Sequence, residues 1–249
     1  MKFSICTDSV LRNMSTADAI GTAGALGYEA VEFWSWWDKD LASINRSRLE
    51  NKVNIAAICT RFISLTDSSK RTEYRKGLKE TIETAELLDC RCIISQVGGD
   101  TGEAFEIQKR SIRDGLLECI PLLENRDITL VIEPLNTTID HRGYFLWSSQ
   151  VAADILDEVK SPRIKMLFDY YHQQIMEGDI IRRSTKLVDK IGHVHVAGNP
   201  GRHEPDNGEI AYPQVLKNLL AAGYQGYIGL EYYPSEDPIE GLKKIKSWE

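Results

Sequence analysis

The sequence has no run close to the roughly 18 consecutive apolar residues that a membrane span needs. Nor do its 249 residues contain a proline-, glycine- or serine-rich stretch that reads as a linker. A spanning helix and a second domain are therefore not expected. Positive charge is scarce: 30 Lys and Arg against 37 Asp and Glu leave a formal net charge of −7, which gives no overall field toward nucleic acid. Residues 1–14 carry Asp8 and Arg12 where a secretory leader needs an unbroken apolar stretch. The expectation is a cytoplasmic protein that binds neither membrane nor nucleic acid. Cysteine is sparse and odd in number, five in all, so a disulfide framework is not expected and buried reduced thiols are. Cys90 and Cys92 are expected on one face of a strand, at a spacing shorter than zinc sites use. The chain also lacks G-x-G-x-x-G after its first strand, since Gly21, Gly24 and Gly27 lie within a helical pattern, and it has no P-loop.

What is present is a rhythm. Short apolar or β-branched runs occur at 3–7, 30–34, 55–60, 92–97, 129–133, 164–169, 192–196 and 227–231. Their starts lie 25 to 37 residues apart, about what one strand, one helix and two loops consume. The intervening segments carry helical patterns. Leu78, Ile82, Ala85 and Leu88 make one apolar stripe, and 16–26, 112–123, 151–159, 215–222 and 241–248 read likewise, with Ser148 or Ser149 as an N-cap. Eight such units without a break in composition predict an α/β fold, a single (β/α)8 TIM barrel domain spanning 1–249.

In that fold chemistry sits where strands end at their C-terminal edge. The last four runs end in Glu133, Asp169, the pair His193 and His195, and Glu231. Three carboxylates and an imidazole meeting at one barrel mouth repel each other without a cation, and they suit one divalent metal ion. A single acidic residue at such a place is more often a helix cap; four in succession favour Glu133, Asp169, His195 and Glu231 as metal ligands. His193, one layer deeper, reads as a core histidine, His141 as surface polarity, and Glu32 as structural or supporting.

The stretches Leu130–Asn136, Phe168–His172, His193–Ile210 and Gly223–Tyr232 resemble the hydroxypyruvate isomerase branch of the xylose isomerase-like TIM barrels, a group that includes ketose 3-epimerases. The resemblance implies a metal-dependent isomerase using Mg2+ or Mn2+, with Co2+ or Zn2+ as alternatives. It implies Glu133 and Glu231 as acid/base groups in addition to ligands, and His172 and Arg202 facing substrate oxygens. The branch that cleaves abasic DNA uses extra histidines for three zinc ions. Here the third and fourth strands run into Arg61 and Gln96, and the loop after the seventh reads Gly201-Arg202-His203. That departure sets the endonuclease reading aside, and a sugar-binding protein without turnover stands as the other alternative. Arg202 with His203 forms a cationic pair that suits a substrate carboxylate, which favours a hydroxypyruvate-like keto acid over a neutral ketose. Trp34, Trp36 and Trp37 either wall the pocket, pack as an aromatic core, or make the contact of a homo-oligomer.

Overall fold

The computed structural model describes residues 1–248. Eight parallel strands close into a barrel in sequence order, β1 to β8, with β1 pairing β8. The strands are β1 (Phe3–Cys6), β2 (Ala30–Phe33), β3 (Asn54–Cys59), β4 (Cys92–Ser95), β5 (Thr129–Ile132), β6 (Ile164–Asp169), β7 (Ile191–Val196) and β8 (Ile228–Leu230). They coincide with the eight apolar runs to within a residue or two at each end. Around them run α1 (Thr16–Ala25), α2 (Leu41–Asn51), α3 (Arg71–Leu87), α4 (Phe105–Leu123), α5 (Ser149–Val159), α6 (Tyr170–Met176), α7 (Ile180–Lys186), α8 (Tyr212–Ala221) and α9 (Pro238–Lys246). Among the described residues no helix is long and apolar enough to cross a membrane.

The strands read as continuous apolar runs because both of their faces are buried. Alternate residues face opposite ways. Ile5, Val31, Ile93, Leu130, Ile132, Met166, Phe168, Val194 and Leu230 belong to the large core under the helices. Ala57, Cys59, Cys92, Ile94, Val131 and Leu167 form a separate, smaller cluster, which is the lumen. The same alternation turns Glu133, Asp169, His195 and Glu231 inward at the C-terminal ends of β5 to β8.

Helix ends follow local chemistry. Ser15 caps α1 through Asp18 N–H, Ser148 caps α5 through Val151 N–H, and Asp40 caps α2 through Ala42 and Ser43 N–H. The apolar pattern does not reveal α2, because it buries only Ile44 and presents polar residues elsewhere. One expectation needs correcting: Cys90 and Cys92 do not share a strand face. The strand starts only at Cys92, after Asp89 takes a left-handed conformation (φ 52°). Cys90 therefore packs in the outer core and Cys92 in the lumen. All five thiols are free and buried.

Candidate active site

A cavity of about 420 Å³ opens at the C-terminal end of the barrel, walled by Trp34, Phe62, Leu135, Tyr144 and Tyr233. Glu133, Glu231 and Arg202 line it; Asp169, His172 and His195, each at most 1% exposed, lie beneath its floor.

Three of the expected ligands, Glu133, Asp169 and Glu231, come together with His172, while His195 is grouped with Glu32 and His193. One donor atom from each of Glu133, Asp169, His172 and Glu231 lies within 4.8 Å of the others. His195 Nδ1 stands 3.5 Å from Glu231 Oε2 and 3.8 Å from Glu133 Oε1. Asp169 satisfies both readings of a carboxylate at a strand end. Its Oδ1 caps α6, accepting from Tyr171 N–H at 2.7 Å and His172 N–H at 3.3 Å. Its Oδ2 is buried without a hydrogen-bond partner, as are His172 Nε2 and both ring nitrogens of His195. Orphaned buried polar atoms are costly, and three carboxylates beside an imidazole nitrogen are a mixed oxygen and nitrogen donor set that a divalent cation satisfies. These residues fit such an ion.

The two glutamates differ in their surroundings. Glu231 Oε1 accepts from Trp34 Nε1–H at 2.6 Å, and Oε2 accepts from Arg202. Burial would raise its pKa, but His195 and Arg202 outweigh that and hold it well below the usual carboxylate range. Glu133 has only a longer bond from Gln96 Nε2, 3.3 Å, while Tyr144 Oη fixes its backbone carbonyl at 3.0 Å. Burial and the neighbouring Glu231 push Glu133 up to about 8. Asp169 is pushed up to about 6, chiefly by burial.

Arg202, in a left-handed conformation (φ 57°), holds its guanidinium 5.5 Å from the Tyr171 ring and 5.8 Å from the Tyr233 ring. One of its amino groups is committed to Glu231, and its Nε is buried and unpartnered. The structure separates it from His203, whose Nδ1 faces the Tyr233 carbonyl at 2.8 Å, so the two do not form one cationic clamp. His141 is a second correction. It lines the cavity, its ring 5.3 Å from that of His172. Asn136 Oδ1 accepts from the N–H groups of Ile139 and Asp140 and its carbonyl from His141 N–H, which curls the loop back over the site. The tryptophans divide: Trp34 reaches Glu231, while Trp36 and Trp37 stack edge to face at 5.7 Å under Arg61.

Beneath the cradle, Glu32, His193 and His195 form a second buried group. Ser4 Oγ donates to Glu32 Oε2 at 2.6 Å, and His193 Nε2 lies 3.0 Å from that same oxygen. Glu32 Oε1 is 2.6 Å from His195 Nε2. Gly229 makes this approach feasible, since a Cβ there would fall 2.5 Å from His195 Cδ2 and 2.7 Å from Glu32 Oε1. Trp34, expected as one possible pocket wall, lines the cavity and also donates to Glu231, and Gln96 is the residue whose role strand-end reasoning passed over. Each stands one position past its strand, β2 and β4 respectively, the same signal that exposed Glu133 and Glu231.

Residues 20–248 match the family described as xylose isomerase-like TIM barrel. The hydroxypyruvate isomerase of Escherichia coli (strain K12) is 31% identical over 231 residues, 89% of each chain. A putative hydroxypyruvate isomerase of Homo sapiens is 30% identical over 246 residues, 92% of this chain and 88% of that one. Among solved structures, one titled AP endonuclease, family 2, from Brucella melitensis superposes with a TM-score of 0.94 at 26% identity, covering 99% of this chain and 98% of that one. With a family match across nearly its whole length and relatives named as isomerases, the chain is an isomerase belonging to the xylose isomerase-like TIM barrel family.

Proposed function

We propose that the protein is a metal-dependent isomerase that interconverts a small α-hydroxycarbonyl acid of the hydroxypyruvate/tartronate semialdehyde kind through an enediolate. The observation that carries this reading is the cradle: three carboxylates and two imidazoles, with Asp169 Oδ2 and imidazole nitrogens buried and unpartnered, roofed by a small cavity whose fixed cation is Arg202. Relatives named for hydroxypyruvate support the substrate class.

Glu133, Asp169, His195 and Glu231 would hold a divalent ion such as Mg2+ or Mn2+. When bound it would polarise the substrate carbonyl and acidify the neighbouring C–H. Arg202, the cation lining the cavity, would meet the substrate carboxylate, and Trp34, Leu135 and Tyr233 exclude water. Glu133 is the better proton shuttle of the two glutamates. Held by one long hydrogen bond, from Gln96, its carboxylate is the less committed of the two and can take the C–H proton and return it to the adjacent carbon. Glu231, anchored by Trp34 and Arg202, stays ionised throughout. His172 and Arg202 lie where hydrogen-bond donors stabilise negative charge developing on the enediolate oxygens.

One carboxylate that holds a proton favours isomerisation, while inversion at carbon calls for working groups on both faces of the enediolate. The test is turnover of hydroxypyruvate, 2-oxo-tetronates and ketoses in D2O, before and after exhaustive chelation. Loss of turnover on chelation, its return with Mn2+, and partial retention of substrate hydrogen in the product are expected. Full activity after chelation would sink the metal dependence, and complete incorporation of solvent deuterium with inversion would transfer the reading to a 3-epimerase.

A further inference from the structure

The cradle contains two histidines, and distances alone do not tell them apart: either could serve as a ligand through the nitrogen nearest the carboxylates. Their outer partners do distinguish them. Asn136 cannot present its amide either way round. Its Oδ1 accepts from Ile139 N–H at 3.1 Å and Asp140 N–H at 3.0 Å, and its Nδ2 donates to Asp140 Oδ2 at 2.6 Å. The remaining amide hydrogen therefore points at His172 Nδ1, 2.7 Å away. A nitrogen that accepts a hydrogen bond carries no proton, so in neutral His172 the proton sits on Nε2. That nitrogen is the one aimed at Asp169 Oδ2, 3.5 Å away.

At His195 the arrangement is the reverse. Glu32 Oε2 is already engaged by Ser4 and His193, which leaves Oε1 for His195 Nε2 alone, 2.6 Å away. The carboxylate lies off the line of the ring N–H, yet it is nearer than either glutamate on the far side, at 3.5 and 3.8 Å. That carboxylate holds the ring through Nε2 and leaves Nδ1 as the nitrogen turned toward Glu231 and Glu133. Carboxylates behind a ligating imidazole commonly act this way.

We propose that Glu32 and Asn136 are positioning residues that give the two histidines opposite roles: Glu32 makes His195 the imidazole ligand through Nδ1, and Asn136 makes His172 a hydrogen-bond donor through Nε2–H, so that it serves substrate oxygens. The proposal rests on the metal-dependent reading above and narrows its ligand set.

The experiment is 15N-edited NMR of histidine-labelled protein, free of ion and then titrated with Zn2+, with ion affinity measured by calorimetry. In the ion-free protein both rings should be protonated at Nε2, with His172 bare at Nδ1. On saturation the Nδ1 resonance of His195 should shift and that of His172 should not. Glu32→Gln, which can turn an amide N–H toward His195, should weaken Zn2+ binding by about 10- to 100-fold. Asn136→Asp should move the His172 proton to Nδ1 without weakening Zn2+ binding. The wild-type spectra decide the question even if a variant fails to fold. A His172 protonated at Nδ1, or a Zn2+-induced shift at His172 Nε2, overturns the assignment. Absence of any ion binding overturns the metal-dependent reading and the ligand role of His195 with it, while the His172 tautomer is still read from the ion-free spectrum.

Discussion

Strands β5 to β8 each end in a side chain that enters the cradle directly, whereas β2 and β4 supply side chains that hold those of other strands. From the first half come Glu32 behind His195, Trp34 on Glu231 and Gln96 on Glu133. The comparison teaches that a site built on one half of a barrel is oriented by side chains from strands flanking that half, because closure leaves only β1 between β2 and β8, and β4 pairs directly with β5. The glutamates differ because Glu231 is held by Trp34 after β2 and by His195 and Arg202 on and after β7, which keep it ionised against its burial, whereas Glu133 has one long bond, from Gln96 after β4, and takes up a proton more readily.

The largest effect should come from attacking the β5–β8 half. Glu133→Gln keeps the shape and one ligand oxygen but removes the base, so turnover should fall about 10²-fold or more while metal content stays near one ion per chain. Glu231→Gln should also cut turnover, but it should cost more ion affinity, since the fully ionised carboxylate is the one replaced. Equal metal retention and near-normal turnover in both would erase the distinction between them.

Acidity gives an intermediate effect. Glu133 and Asp169, pushed up to about 8 and about 6, carry protons that an incoming cation must displace. Because both pKa values are raised, protons compete below pH 6. The competition fades as pH climbs through 6 and then 8, and it is gone above that. Ion affinity should therefore rise across this window, by about tenfold per pH unit for each proton displaced, with proton release in buffers of different ionisation enthalpy. A flat affinity profile would mean that both carboxylates are ionised before the ion arrives. The smallest effect belongs to the supporting half. Trp34→Phe removes a hydrogen bond to a charged group, worth about 1.5–3 kcal/mol, so turnover should drop roughly tenfold or somewhat more with metal content unchanged. If instead metal is lost, the indole is holding the cradle together and the division between the halves fails.

The barrel was legible because a buried parallel strand must be a short apolar run and the runs recur at the βα period. Glu133, Asp169, His195 and Glu231 were legible for the same reason, as polar residues that interrupt that pattern at one edge. Trp34 was legible only as one of three possible pocket walls, since nothing local tells an indole that donates to a carboxylate from one that stacks, as Trp36 and Trp37 do. Loop residues were less legible: Arg202 lines the cavity as expected, but His141, read as surface polarity, owes its place there to Asn136, and His203, expected beside Arg202, turns to the Tyr233 carbonyl. The pattern also misses α2, where an N-cap at Asp40 and one buried residue suffice once α1 lies alongside.

Gly229 makes the site hard to transplant. Grafting the four acidic and imidazole positions onto another barrel would reproduce the visible constellation and still misplace it, because a methyl group at the equivalent of position 229 drives His195 and Glu32 apart. The space left by one absent side chain on β8 is a design specification in its own right, and an engineer reading only the reactive residues would leave it out.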